Sequence, residues 1–239
     1  MQGLQGKVSA LCKNGISVIE HRIRCARGED IHGRPSIRRA EVGLGSGDGR
    51  WVISPDRFGP DSIVYSFGIG RNITFDLALI RRFGCKVHAF DPTPLANEWL
   101  QSQNLPDSFL VYPWGLAAYD GSARFALPES HSVSFVMATD VPSKSKSVAE
   151  CQVRRLPTIR ESLGHDHIDL LKIDIEGSEY DVLDDIVKES ARIQQLVVEF
   201  HHRWSRSPSR TEQAISRLEE CGLRLFHVSA NGFEYSFVR

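Results

Sequence analysis

The chain has 239 residues, 41% hydrophobic and 25% charged, which is the balance of an ordinary globular protein and excludes a disordered or fibrous one. Its 29 Lys/Arg against 30 Asp/Glu leave a formal net charge of -1, so composition favours neither nucleic acid nor an anionic membrane as partner. No uncharged apolar run is long enough to span a bilayer, and Met1–Lys7 lacks the layout of a secretion signal.

Five cysteines at wide spacing, with no C-x-x-C pair, argue against a disulfide framework or a thiolate zinc site. Reduced thiols in a cytoplasmic protein are expected; no metal site is assigned, and a divalent ion held by Asp174, Glu176, Glu199 and His201 ranks below direct base catalysis because no short ligand spacing supports it.

Residues 1–60 read as a basic extension or cap on a domain spanning 61–239. The first 50 residues hold nine Lys/Arg against five Asp/Glu, and Val8–Arg24 carries a weak helical pattern. The glycine cluster Gly43–Gly49 precedes the strand-like Trp51-Val52-Ile53, where a nucleotide loop would need a helix. It reads as a hairpin turn around Asp48-Gly49.

From residue 61 strands and helices alternate. Ser62–Tyr65 is a buried strand leading into Ser66-Phe67-Gly68-Ile69-Gly70, and Ile73–Arg82 is a helix stopped by Gly84. Lys86–Phe90 is a second strand ending at Asp91-Pro92. Trp99 and Leu100 mark a helix, and Phe109–Tyr112 a third strand. Ser122–Leu127 and Val133–Met137 read as strands, Pro142–Ser147 as a polar loop, and Thr158–Leu163 as a short helix. Ile168–Ile173 is the fourth strand and Gln195–Phe200 the fifth, with a helix between them. Ser209 and Glu212 suggest a capping box, and Leu223–Val228 with Phe233–Val238 a closing hairpin. The pattern predicts a doubly wound, mainly parallel α/β sheet of seven strands with an antiparallel C-terminal hairpin.

Such sheets bind ligands at the C-terminal strand ends. Gly68 and Gly70 lie between a strand and a helix there, and Asp91, 21 residues after Gly70, is placed to accept hydrogen bonds from a ribose. Trp114-Gly115, beyond the third strand, offers a surface for an adenine ring. This spacing accommodates S-adenosylmethionine or a nicotinamide dinucleotide. The third glycine of the dinucleotide fingerprint would fall at the β-branched Ile73, which favours S-adenosylmethionine.

Lys172-Ile173-Asp174-Ile175-Glu176-Gly177-Ser178-Glu179 matches K-[IV]-D-[IV]-E-G-x-E, and on it the chain resembles the FkbM family of S-adenosylmethionine-dependent methyltransferases. Val87–Pro92, Gly115–Ala123 and Val197–His201 are similar to further family motifs in the same order, so the resemblance covers about residues 62–238. It implies a Rossmann-like class I fold and methylation of a small-molecule or sugar hydroxyl. It also implies cofactor contacts at Ser66, Phe67, Gly68, Gly70, Asn72, Asp91, Pro92, Trp114, Gly115 and Asp174. Where the family's first loop reads D-x-G-x-N-x-G, this chain reads Ser66-Phe67-Gly68-Ile69-Gly70-Arg71-Asn72, with Ser66 in place of the acid and Asn72 in place of the last glycine. The other readings are an NAD(P)-dependent oxidoreductase and a cofactor-binding module without catalysis.

The expected catalytic set is Asp174, Glu176 and His201. Alternation puts Asp174 and Glu176 on one side of an extended chain, with Glu176 as base or acceptor orienter and His201 as a base of near-neutral pKa. Glu179 reads as a helix-dipole partner, Lys172 as a partner for one of these carboxylates, and His202 as a surface residue. His131, Ser132 and Ser134 are candidates to cover the site.

Overall fold

Short apolar runs separated by amphipathic stretches wind into a covered parallel sheet, and the chain follows that rule from residue 63 onward. The computed structural model describes residues 18–128, 136–137, 145–205 and 207–239. Residues 18–26 form helix α1. Strands β1 (Val42–Leu44) and β2 (Trp51–Ile53) make an antiparallel hairpin with a 3-10 turn at Gly47–Gly49. Next come β3 (Ile63–Phe67), α2 (Thr74–Phe83), β4 (Lys86–Phe90), α3 (Pro94–Gln101) and β5 (Phe109–Tyr112). A smaller sheet follows, built from β6 (Gly115–Leu116), β7 (Gly121–Pro128), β8 (Val136–Met137) and β9 (Ser145–Arg154). The wound pattern resumes with α4 (Leu156–Ser162), β10 (Ile168–Ile173), α5 (Leu183–Glu189) and β11 (Ile193–Glu199). It closes with α6 (His202–Ser205), α7 (Pro208–Glu220), β12 (Arg224–Val228) and β13 (Glu234–Val238).

Among the described residues the main sheet has seven strands in the order β12-β13-β11-β10-β3-β4-β5. Its five central and edge strands β3, β4, β5, β10 and β11 are parallel, and β13 runs antiparallel to both β11 and β12. This is the expected sheet. Side-chain alternation divides its core into two layers. Tyr65, Phe67, Leu171 and Ile173 pack on one face, and Val64, Leu170 and Val197 on the other. Strand order reverses between β3 and β10, which opens a crevice at their C-terminal ends. Helix α2 ends as its sequence predicts, with Gly84 at φ 71° donating its N–H to Ile80 O at 2.8 Å. No described helix is long and apolar enough to cross a membrane.

Three expectations need correction. The boundary at residue 60 falls inside one packed body: Trp51 and Ile53 are buried with Val64 and Phe75, and Ser54 exchanges two hydrogen bonds with Gln195 of β11. Residues 145–147, read as loop, begin the ten-residue strand β9, which pairs with β7 along its length. The capping box at Ser209 is absent because α7 starts a residue earlier at Pro208, whose missing N–H suits the first turn, and its N-cap Ser207 makes no side-chain cap. Residues 8–17 and 131–134 lie outside the described residues.

Candidate active site

The crevice is a cavity of about 610 Å³ whose wall includes Gly68, Gly70, Asp91 and Asp174. Phe67, Asn72, Pro92, Gly115, Glu176, Glu199 and His201 also line it. The strand tips of β3, β4, β10 and β11 therefore converge on one space, and Asp48 and Gly49 of the β1–β2 hairpin close another side.

The first loop is built on two glycines. Gly68 has φ 74°, and a Cβ there would stand 1.6 Å from the Asp174 carbonyl oxygen. Only glycine lets the β3 and β10 tips come that close. Gly70, at φ 55°, has nothing within 4 Å of where a Cβ would project, so its backbone borders open space. Asp91 holds this loop from below: Oδ2 accepts the N–H groups of Ile69 and Gly70 at 3.0 and 2.9 Å. Its Oδ1 accepts the N–H and hydroxyl of Thr93. Lys172 donates Nζ to the carbonyls of Phe67 and Gly68 at 3.2 and 2.8 Å. It thus ties the loop to β10, and among the described residues it does not form the side-chain ion pair expected of it. Asn72 braces the loop to the hairpin, with Nδ2 donating to Asp48 Oδ1 at 2.6 Å and Oδ1 accepting the Thr74 hydroxyl at 2.7 Å.

The opposite wall is acidic. After β10 the chain turns at Glu176 and Gly177, with φ 54° and 100°. A left-handed non-glycine residue is unusual, and here it lets the Glu176 side chain meet the end of β11. His201 Nε2 lies 3.5 Å from Glu176 Oε2 and 3.7 Å from Glu199 Oε1. Its Nδ1 donates to Glu179 Oε1 at 2.8 Å. Because a carboxylate only accepts, that bond fixes the proton on Nδ1 and turns Nε2 toward the cavity. Glu179 is therefore no helix-dipole partner. It is 1% exposed, precedes α5, and also accepts the N–H of Gly177 at 2.9 Å.

Burial would lower the His201 pKa, but the hydrogen bond and charge of Glu179, helped by Glu199 and Asp174, outweigh it and push the value up to about 9. Burial raises the Asp174 carboxyl, against the pull of Lys172 and His201. Burial and the neighbouring Asp174 raise Glu199 as well.

Two expected cofactor residues do not reach the cavity wall. Ser66 is fully buried within β3. Trp114 packs on Tyr112, and the Arg154 guanidinium lies over its ring at 3.8 Å, on the surface expected to receive an adenine. His202 is not a surface residue: it is wholly buried and donates Nε2 to Asp30 Oδ1 at 2.7 Å. Sequence reasoning missed two site residues. Glu179 was visible as the last acid of the K-[IV]-D-[IV]-E-G-x-E run. Asp48 carried no signal beyond its place in a glycine-rich turn.

The model of the methyltransferase FkbM domain matches residues 63–225. "Probable methyltransferase-like protein 24" of Rattus norvegicus is 29% identical over 196 residues, covering 74% of this chain and 48% of that protein. Its Homo sapiens counterpart is 30% identical over 175 residues, covering 69% and 42%. The chain thus spans about half the length of these curated relatives. Among solved structures, a methyltransferase FkbM from Methylobacillus flagellatus KT aligns with a TM-score of 0.49 at 16% identity, over 77% of this chain and 44% of that one.

Proposed function

The chain belongs to the methyltransferase FkbM domain family, and from that premise we propose that it transfers a methyl group from S-adenosylmethionine to a hydroxyl oxygen of a small-molecule or saccharide acceptor. The observation that carries this reading is the convergence of Gly68, Asp91 and Asp174 on one cavity that His201 and Glu176 also line. The residues present fit the cofactor. The open space at Gly70 is a cradle that any Cβ would invade, and a cation in the cavity would favour the ionised forms of Asp174 and Glu199 that burial disfavours. Gly68, Gly70, Asp91 and Pro92 would hold its ribose and amino-acid parts, with Phe67, Asn72 and Gly115 completing the cradle. When bound, S-adenosylmethionine supplies an activated methyl group on a sulfonium.

The chain's own residues supply positioning and proton handling. Glu176 orients the acceptor hydroxyl. His201 Nε2 takes its proton, and Glu179, bonded to Nδ1, stabilises the imidazolium that results. A base whose pKa lies above neutrality is better matched to an alcohol proton than an ordinary histidine. The hairpin carrying Asp48 and Gly49 closes one side of the cavity against water.

Calorimetry with S-adenosylmethionine, and separately with NAD and NADP, tests the reading, followed by methyl transfer to a panel of polyols and saccharides. Binding of S-adenosylmethionine with turnover is expected. Binding of a dinucleotide in its place would refute it.

A further inference from the structure

A second constellation of ligand-type side chains lies outside the family-matched segment, where α1 meets the rest of the domain. His21, Cys25 and His32 each offer one donor atom, and the three atoms lie within 4.8 Å of one another. His21 and Cys25 are four residues apart, so both project from one side of α1. Cys25 Sγ stands 3.7 Å from both ring nitrogens of His21.

The tautomer of His21 is set by its surroundings. Its Nδ1 donates to Asp30 Oδ2 at 3.1 Å, and the Asp30 side chain is fully buried. With the proton on Nδ1, the arrangement the Asp30 carboxylate favours, Nε2 keeps its lone pair for a metal. A histidine held by a carboxylate through one nitrogen and open at the other is the usual environment of a metal-bound imidazole. The guanidinium of Arg203 lies 3.1 Å from His21 Nδ1, but its charge is met by Asp30 Oδ2 at 2.5 Å.

We propose that His21 Nε2, Cys25 Sγ and His32 bind a zinc-class divalent cation, stapling α1 to the segment that follows it. Donors around tetrahedral zinc stand roughly 3.3–3.7 Å apart, given bonds of about 2.0–2.3 Å. The His21–Cys25 pair already meets that spacing. His32 is exposed, and rotation of the His32 and Cys25 side chains brings the three donors, already within 4.8 Å of one another, around one ion. On binding, the Cys25 thiol releases its proton to solvent and the sulfur–metal bond takes its place, with water leaving the ion. Three protein ligands leave one coordination position for water. The site is independent of methyl transfer, and it gives a physical reason for His32, which no other contact of the active cavity uses.

The test is a titration of the chelator-treated full chain with cobalt(II), followed by zinc(II). One equivalent of cobalt should bind, with a thiolate-to-cobalt charge-transfer band that zinc abolishes. Cys25→Ser should remove that band, and the exposed His32→Ala should weaken cobalt binding by about tenfold or more without changing the thermal melt of the metal-free protein. A wild-type chain with no thiolate band would overturn the proposal. So would a band that survives Cys25→Ser, or an affinity indifferent to His32→Ala.

Discussion

His201 concentrates the chemistry of this site, because one ring nitrogen is fixed by a buried carboxylate and the other faces the cavity. To accept a proton it must first lose its own, and its pKa is pushed up to about 9. The rate of methyl transfer should therefore rise about tenfold per pH unit below that value and level off above it. A profile flat between about pH 6 and about pH 9, recorded at saturating cofactor, would assign the base elsewhere, since that window ends at the shifted value and begins about three units below it. His201→Asn should lower turnover by about a hundredfold or more while leaving cofactor affinity nearly intact. Gly68 offers a purely steric test. Gly68→Ala drives a methyl group into the Asp174 carbonyl and demands φ 74° of an alanine. A stability loss of about 3 kcal/mol or more is expected in urea unfolding, with cofactor binding abolished. Wild-type behaviour would mean the two strand tips are farther apart than described.

At the scale of elements, the N-terminal segment is held by one buried carboxylate. Asp30 accepts from His202 Nε2 at 2.7 Å, Arg203 Nε at 2.6 Å and the Ile31 N–H at 2.9 Å. Burial would raise its pKa, but these hydrogen bonds, His202 first, outweigh it and hold the carboxyl below the usual range. The clamp's contribution is thus complete above the unfolded pKa of about 3.9 and is lost as pH falls through the lower folded value. Asp30→Ala leaves the Arg203 guanidinium without its counter-charge and the buried His202 Nε2–H without this acceptor, and should cost about 3–5 kcal/mol in chemical denaturation at neutral pH. An unchanged midpoint would mean that α1 does not depend on this contact.

The same cluster marks where sequence reasoning stopped. Strands β4, β5 and β10 were legible because each is an apolar run ending at a turn signal. His202 was read as surface because its partner Asp30 is 172 residues away, and long-range pairing of buried polar groups leaves no local pattern. Strand β9 is partly hidden by its serine- and lysine-rich start, since only Ala149, Cys151 and Val153 carry its inward alternation, and the apolar Val148 falls on the exposed face. Within the site, Gly68, Asp91, Asp174 and Glu176 were readable from motif spacing. Trp114 was misplaced because an aromatic at a strand end says nothing of what covers it, and here that is Arg154.

For the whole molecule, the sheet order β12-β13-β11-β10-β3-β4-β5 brings residues from Asp48 to Phe233 around a single cavity. Asp91 supports that convergence from within, since both of its oxygens are engaged with the loop and with Thr93. Asp91→Ala should weaken S-adenosylmethionine binding by about tenfold or more, as a buried loop N–H pair loses its acceptor; calorimetry with an unaltered Kd would remove Asp91 from the cofactor site. The most direct measurement is a crystal structure of the full chain with S-adenosylhomocysteine. The account predicts density in the cavity, against Gly68–Gly70 and Asp91, with the sulfur directed at Glu176 and His201. Density at any other place on the molecule, with this cavity closed by its own side chains, would contradict it.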